Sequence, residues 1–270
     1  MVTSPRRPVV LMYHGFAMAR QVRDRENLLV PEGALRAQLG HLRSRRFAAL
    51  DLDGYLGVLD RRARPGRSFL FTADDGYRSF GEIAAPLLAA ARVPSVLFVP
   101  PSVLGGNSSW VPEIADEPLL TPDELRGLTR MGVEIGVHGL DHTSLVGLSD
   151  AELARQTRGA REQVADLTGT LPRAFAFPFG AFDGRACQAV AAAGFEVAFS
   201  VFDDAGRYAI SRVDVNATDN GQSFRLKLVP GYRRWWRVSN SLGPIRSTVG
   251  RLLRGPSTLA PSGPGATRRP

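Results

Sequence analysis

"SFLFTADDGYRSF", residues 68 to 80, sets an apolar run directly before two adjacent carboxylates, Asp74 and Asp75, and a glycine. The run is short enough for a buried strand, and the acid pair falls where that strand ends. Two carboxylates this close repel one another unless a proton, a cation or solvent neutralises one of them. Taken alone, "DDG" also suits an ordinary turn, because Asp and Gly favour that geometry.

Working outward, the same rhythm of a short apolar run followed by a helix-length amphipathic stretch covers most of the chain. Strands are expected at 8–14, 47–52, 68–74, 95–100, 133–138, 173–178, 197–202 and 208–215. Helices are expected at 31–45, 53–62, 79–91, 121–131, 149–168 and 183–193. "TPDEL" at 121 and "SDAEL" at 149 place Thr or Ser before an acidic first turn, a helix-start signal. Strand then helix, repeated about seven or eight times, implies a parallel sheet closed into an α/β barrel with its helices outside. In such a barrel the chemistry collects at the carboxyl ends of the strands. The polar residues there are His14, Asp74 with Asp75, and His138, with His142 just beyond, so three of the four histidines in the chain stand at strand ends.

Composition narrows the class. The chain has 270 residues, 44% of them hydrophobic, enough for one large domain core. Its net charge of +8 is almost wholly arginine, Lys227 being the only lysine. That charge permits an anionic partner. No finger, helix-turn-helix or aromatic RNA-binding motif accompanies it, so nucleic acid is excluded as a partner. The one cysteine, Cys187, excludes an internal disulfide framework and reads as a structural thiol on a helix. The apolar stretch "VVLMY" is too short for a signal peptide, which needs roughly 7 to 15 such residues, and is taken as the first strand. No run reaches the roughly 18 apolar residues of a spanning helix. A cytoplasmic location follows, at most peripheral to a membrane.

"EIGVHGLDHTSL" carries His138 and His142 at HxxxH spacing, with Gly136 and Gly139 arguing for a strand that runs into a tight loop. Two loop histidines bonded to backbone would be the plainer account. Together with one Asp, however, they make a three-ligand metal site with open positions, and leave the second Asp beside it as a base. Asp75 is then the ligand and Asp74 the base.

"FTADDGY", "EIGVHGLDHTSL" and "RAFAFPFGAFD", in this order, resemble the first three motifs of the polysaccharide deacetylases, carbohydrate esterase family four, usually written TFDDG, HxxxH and RxxRxP(F/Y)G. The resemblance covers roughly residues 8 to 215. It implies a distorted (β/α)7-type barrel and a divalent-metal hydrolase acting on N-acetylated sugars. Position by position it makes Asp75, His138 and His142 metal ligands, for Zn2+ first and Co2+ or Ni2+ as alternatives. Asp74 becomes the general base, and the Phe179 backbone N–H an oxyanion donor. Three departures stand out: Ala73 for the usual Phe, Ala176 for the Arg that steadies the catalytic Asp, and no histidine after His142 to supply the late acid. His14, ending "VVLMYH", is the candidate replacement acid, as in a permuted branch typified by biofilm exopolysaccharide deacetylases. Asp214 and Asp24 are candidates for the carboxylate that keeps His14 charged. Arg212, in "ISRVDV", reads either as a substrate contact or as a barrel-end ion pair.

The expected organisation is a barrel over 1–218, a basic amphipathic segment over 219–254 and a disordered tail over 255–270. From Trp235 to Leu252 apolar residues recur at threes and fours among arginines. That helical extension either packs on the barrel or rests at a membrane interface through 233–254. The leading functional reading is de-N-acetylation of an amino-sugar polysaccharide or its precursor. The alternatives are O-acetyl ester or cyclic-amide hydrolysis on the same fold, or a catalytically degenerate glycan-binding scaffold.

Overall fold

A computed structural model of the chain describes residues 7–64, 66–201, 204–229 and 232. The chain divides into two compact units, Met1–Arg233 and Arg234–Pro270, and every described residue belongs to the first. The expectations for segment 233–254 and for the tail lie outside the described residues.

Among the described residues eleven strands are formed: β1 (Val9–Tyr13), β2 (Gly15–Ala17), β3 (Leu29–Pro31), β4 (Ala48–Leu50), β5 (Ser68–Ala73), β6 (Ser95–Val99), β7 (Glu134–Val137), β8 (Ala174–Ala176), β9 (Val197–Ser200), β10 (Ile210–Ser211) and β11 (Val213–Asp214). The helices are α1 (Glu32–Ser44), α2 (Leu52–Leu59), α3 (Ala85–Ala91), α4 (Pro122–Arg130), α5 (Asp150–Ala154), α6 (Ala160–Thr168), α7 (Gly184–Ala192) and α8 (Gly221–Lys227). The main sheet runs β10-β9-β8-β7-β6-β5-β1-β11, every pairing parallel, and its two edge strands are separated in sequence by Arg212 alone. The result is a nearly closed parallel barrel ringed by helices. β4 pairs with the first half of β5 (Ala48↔Ser68), where β6 takes the second half (Phe71↔Ser95).

The apolar runs form strands covered on both faces. Alternate residues face inward, where Val10, Leu70, Val96, Phe98, Ala174, Ala176, Val197 and Phe199 make one buried cluster with Leu52, Tyr55 and Leu56 of α2. The other parity, such as Leu11, Phe71, Leu97 and Phe175, packs against the surrounding helices. Space inside is tight: a Cβ on Gly136 would stand 2.4 Å from the Phe98 ring. Both anticipated helix starts are capping boxes, Thr121 with Glu124 and Ser149 with Glu152.

Three expected elements differ in detail. The strand expected over 208–215 is split at Arg212 into β10 and β11, because the chain turns that side chain into the barrel. The helices expected over 79–91 and 149–168 each contain a π-type turn, at Phe80–Ala84 and Arg155–Gly159. The sequence reading gave no hint of the β2–β3 pair or of α8. Cys187 is half-buried with its thiol on the Tyr208 carbonyl, as a structural thiol should be.

Candidate active site

The site grows from the carboxyl end of β5. Asp74 N–H donates to Tyr13 O at 2.9 Å, extending the ladder to β1 by one residue and fixing the Asp74 side chain on the inward parity. Asp75 and Gly76 then both take left-handed conformations, with φ of 72° and 71°. That turn is strained for an aspartate and sends its carboxylate across the barrel mouth.

Two strands away, His138 N–H bonds to Val99 O at 2.9 Å, placing the imidazole at the end of β7. Its Nδ1 lies 2.8 Å from Ala176 O, so Nδ1 carries the proton and Nε2 presents a lone pair. The loop after it is pinned by buried Gln156, whose side chain accepts from Leu140 N–H at 2.7 Å and donates to Asp141 at 2.7 Å. His142, with φ of 65°, is thereby turned inward. It stacks on Trp110 at 4.2 Å between centroids and meets the edge of Phe179 at 4.6 Å.

Asp75 Oδ1 stands 3.3 Å from His138 Nε2 and 3.2 Å from His142 Nε2. One ligand atom from each of the three side chains lies within 4.8 Å of the others. Asp75 Oδ1 is fully buried yet lacks hydrogen-bond geometry to either ring. An orphaned carboxylate oxygen facing two imidazole nitrogens is satisfied by a cation, and the donor set of two His and one Asp suits a borderline divalent ion. Trp110 Nε1 reaches the other oxygen of Asp75 at 3.5 Å and orients it from behind.

Asp74 has a different partner. Arg212 Nη1 and Nη2 donate to its two oxygens at 2.7 and 2.6 Å, a bidentate clamp within the barrel. The guanidinium also donates to Ser200 O and Thr72 Oγ1 and lies over the rings of Phe98 and Phe199. Burial pushes Asp74 up, but Arg212, helped by His138 and His14, outweighs it and holds the carboxyl below its ordinary value. For Asp75 burial is likewise outweighed, by His138, His142 and His14, and its carboxyl is held well below the usual range. Burial draws His142 below the ordinary imidazole value, while for His138 the two aspartates overcome burial and raise it. The two acids are thus answered from different sides, Asp74 by the Arg212 guanidinium and Asp75 by the ring nitrogens of His138 and His142.

His14, Asp74, Asp75, His138, His142 and Phe179 all line one cleft of about 290 Å³, with Trp110, Glu26 and Glu113 at its wall. Phe179 adopts φ 59°, ψ 8° there and is 58% exposed. Of the two carboxylates considered for His14, Asp24 accepts from Leu29 N–H at 2.7 Å and Asp214 from the Asn216 amide at 2.9 Å. His14 itself adds to the positive field that lowers Asp74 and Asp75. The sequence offered two readings of Arg212, and the ion pair is the one formed. The guanidinium enters from the side of strand β11, whereas Ala176, a small buried residue at the end of β8, offers Asp74 no partner. Trp110 and Gln156 carried no signal in the sequence.

A nearly closed parallel barrel with a carboxylate and two imidazoles converging at its carboxyl mouth defines a class of hydrolases. A family model described as polysaccharide deacetylase matches residues 61–198, and the chain belongs to that family. As a member it is a hydrolase of acetyl groups. YxkH of Bacillus subtilis (strain 168), which goes by the name of a polysaccharide deacetylase, is 21% identical over 226 residues, 82% of this chain and 75% of its own. The Streptococcus pyogenes deacetylase PplD, solved in complex with acetate, shares the fold at a TM-score of 0.73 and 16% identity, over 84% of this chain and 100% of that one. IcaB from Ammonifex degensii does so at 0.69 and 20%, over 86% and 97%. Among the described residues no helix is long and apolar enough to cross a membrane.

Proposed function

We propose that the protein is a divalent-metal hydrolase that removes N-acetyl groups from an amino-sugar polysaccharide or its precursor. The observation that carries this reading is the division of labour within the acid pair. Asp75 faces two imidazole lone pairs, while Asp74, beside it, is clamped by Arg212 and shares a cleft with His14.

Asp75, His138 and His142 would hold a divalent ion, Zn2+ first and Co2+ or Ni2+ as alternatives, which would supply Lewis acidity to water and to the substrate carbonyl. Asp74 accepts the proton of the attacking water. Its two bonds to Arg212 keep it anionic and fix its orientation, and each oxygen retains a lone pair for the transfer. The Phe179 N–H, at the cleft wall, is assigned to the carbonyl oxygen as negative charge develops on it. An amide nitrogen leaves poorly as an anion, so His14 donates a proton to it as the C–N bond breaks. Acetate and a free amine are released. The stacked Trp110 and His142 rings and the exposed Phe179 ring offer flat apolar walls for a sugar.

The test is acetate release from short N-acetylglucosamine oligomers by protein stripped of metal and then refilled with Zn2+ or Co2+. Metal-dependent release, abolished in Asp74→Asn and His14→Ala, is expected. Release only from O-acetyl esters would move the reading to an esterase, and none from any acetylated sugar to a glycan-binding role.

A further inference from the structure

The amino end of the barrel holds another cavity, of about 420 Å³, lined by Ser68 at the start of β5, the strand whose other end carries the acid pair. Its floor is apolar, with Val9, Phe47, Val213 and Leu228. Its rim is cationic: Arg45 follows α1, Arg67 precedes β5 and Arg225 lies on α8, so three separate segments bring guanidiniums to one opening. Lys227 and Arg7, which also line it, are answered by Asp219 at 2.6 Å and Asp204 at 3.4 Å. Arg45, Arg67 and Arg225 have no carboxylate partner among the described residues, and no acidic residue lines the cavity. Elsewhere at this end of the barrel the arrangement is the reverse, Arg173 meeting Asp53 and Glu134, and Arg207 meeting Asp60.

Convergent like charges repel, and solvent alone gives no reason for three chain segments to bring them together. Arg67 is moreover held in place, donating to Arg45 O at 3.2 Å and lying over the Phe47 ring. Burial and then the charges of Arg225 and Arg45 lower the His41 imidazole below its ordinary value, so the ring sits in a positive field. Planar guanidiniums match phosphate oxygens in pairs, and an apolar floor accepts the organic part of an ester.

We propose that this cavity is a binding site for a phosphate-class anion, the phosphate or diphosphate group of an organic ester, gripped by Arg45, Arg67 and Arg225 with its organic portion against Phe47 and Leu228. The source is either a soluble phosphate ester or the headgroup of an anionic lipid.

Full-length protein is titrated with inorganic pyrophosphate by calorimetry at fixed ionic strength, and cosedimented with vesicles of phosphatidylcholine containing phosphatidylglycerol. All three rim arginines are exposed, so their truncation leaves the core intact. The expected result is saturable binding of one pyrophosphate per chain, weakened at least tenfold in Arg45→Ala/Arg225→Ala and unchanged in Arg130→Ala, an exposed arginine elsewhere. If vesicle binding falls in the same double variant and pyrophosphate competes for it, the source is a lipid headgroup. If only pyrophosphate binding falls, the source is a soluble ester. Binding of both probes that the double variant retains, an equal loss in Arg130→Ala, or no saturable binding of either probe overturns the proposal.

Discussion

At the carboxyl end of the barrel Asp74, Asp75, His138 and His142 are 2 to 6% exposed and face one another or Arg212 across the barrel mouth. At the amino end the arginines stand in water, some paired and some not. A buried charge in this protein is thereby reactive: it cannot relax into solvent, so its protonation state and direction are set by the few groups around it. An exposed charge is available, attracting whatever arrives but dictating no chemistry. The contrast predicts that equivalent changes at the two ends differ by orders of magnitude in effect.

Removing the metal with a chelator should take acetate release to background and adding Zn2+ should restore it. Residual activity in the stripped enzyme would break the contrast at its strongest point. Asp74→Asn should lower kcat by about 10² to 10⁴-fold with folding retained, the range for loss of a positioned base. Arg212→Met should be nearly as harmful by another route. It strands a buried carboxylate, so thermal or denaturant unfolding should show a loss of about 3–5 kcal/mol. With its main counter-charge gone, burial raises the Asp74 carboxyl, and the acid limb of the pH–rate profile should move to higher pH. An unchanged acid limb would mean that Arg212 is only a strut. His14→Ala should cost about 10²-fold or more in kcat on N-acetyl substrates. Its effect should shrink on acetyl esters, whose leaving oxygen needs less protonation, and an equal loss on both would remove His14 from the role of acid. Smallest of all, Arg173→Ala at the amino end removes a half-exposed network with Asp53, Glu134 and Glu196 and should change stability by at most about 1 kcal/mol.

The barrel was legible because parallel strands covered on both faces are written as uninterrupted apolar runs, and "SFLFTA" is buried at every position. The candidate ligands were legible for a different reason: Asp75 and His138 come just after such runs, where direction along the strand dictates position in space, and His142 follows His138 at HxxxH spacing. Arg212 was only half legible. Its sequence neighbours announced a strand, but nothing local says that a side chain 138 positions away from Asp74 will close on it. Trp110 and Gln156 were illegible altogether, because loops and helix faces place side chains by tertiary contact. The short β2–β3 pair escaped for want of length, three residues being too few to show a period.

The junction at Arg212 has one more consequence. The sheet's first and last strands in space are β10 and β11, neighbours in the chain, while β1 sits beside β11 through Leu11↔Val213 and Met12↔Asp214. His14, just past β1, and the Arg212 clamp beside β11 therefore stand on adjoining staves and both act on the charge of Asp74, although 198 positions separate them in the chain. A ring of strands has no beginning of its own. Where the chain starts on that ring is a separate matter, because residues as far apart in sequence as Met12 and Asp214 stand side by side around it.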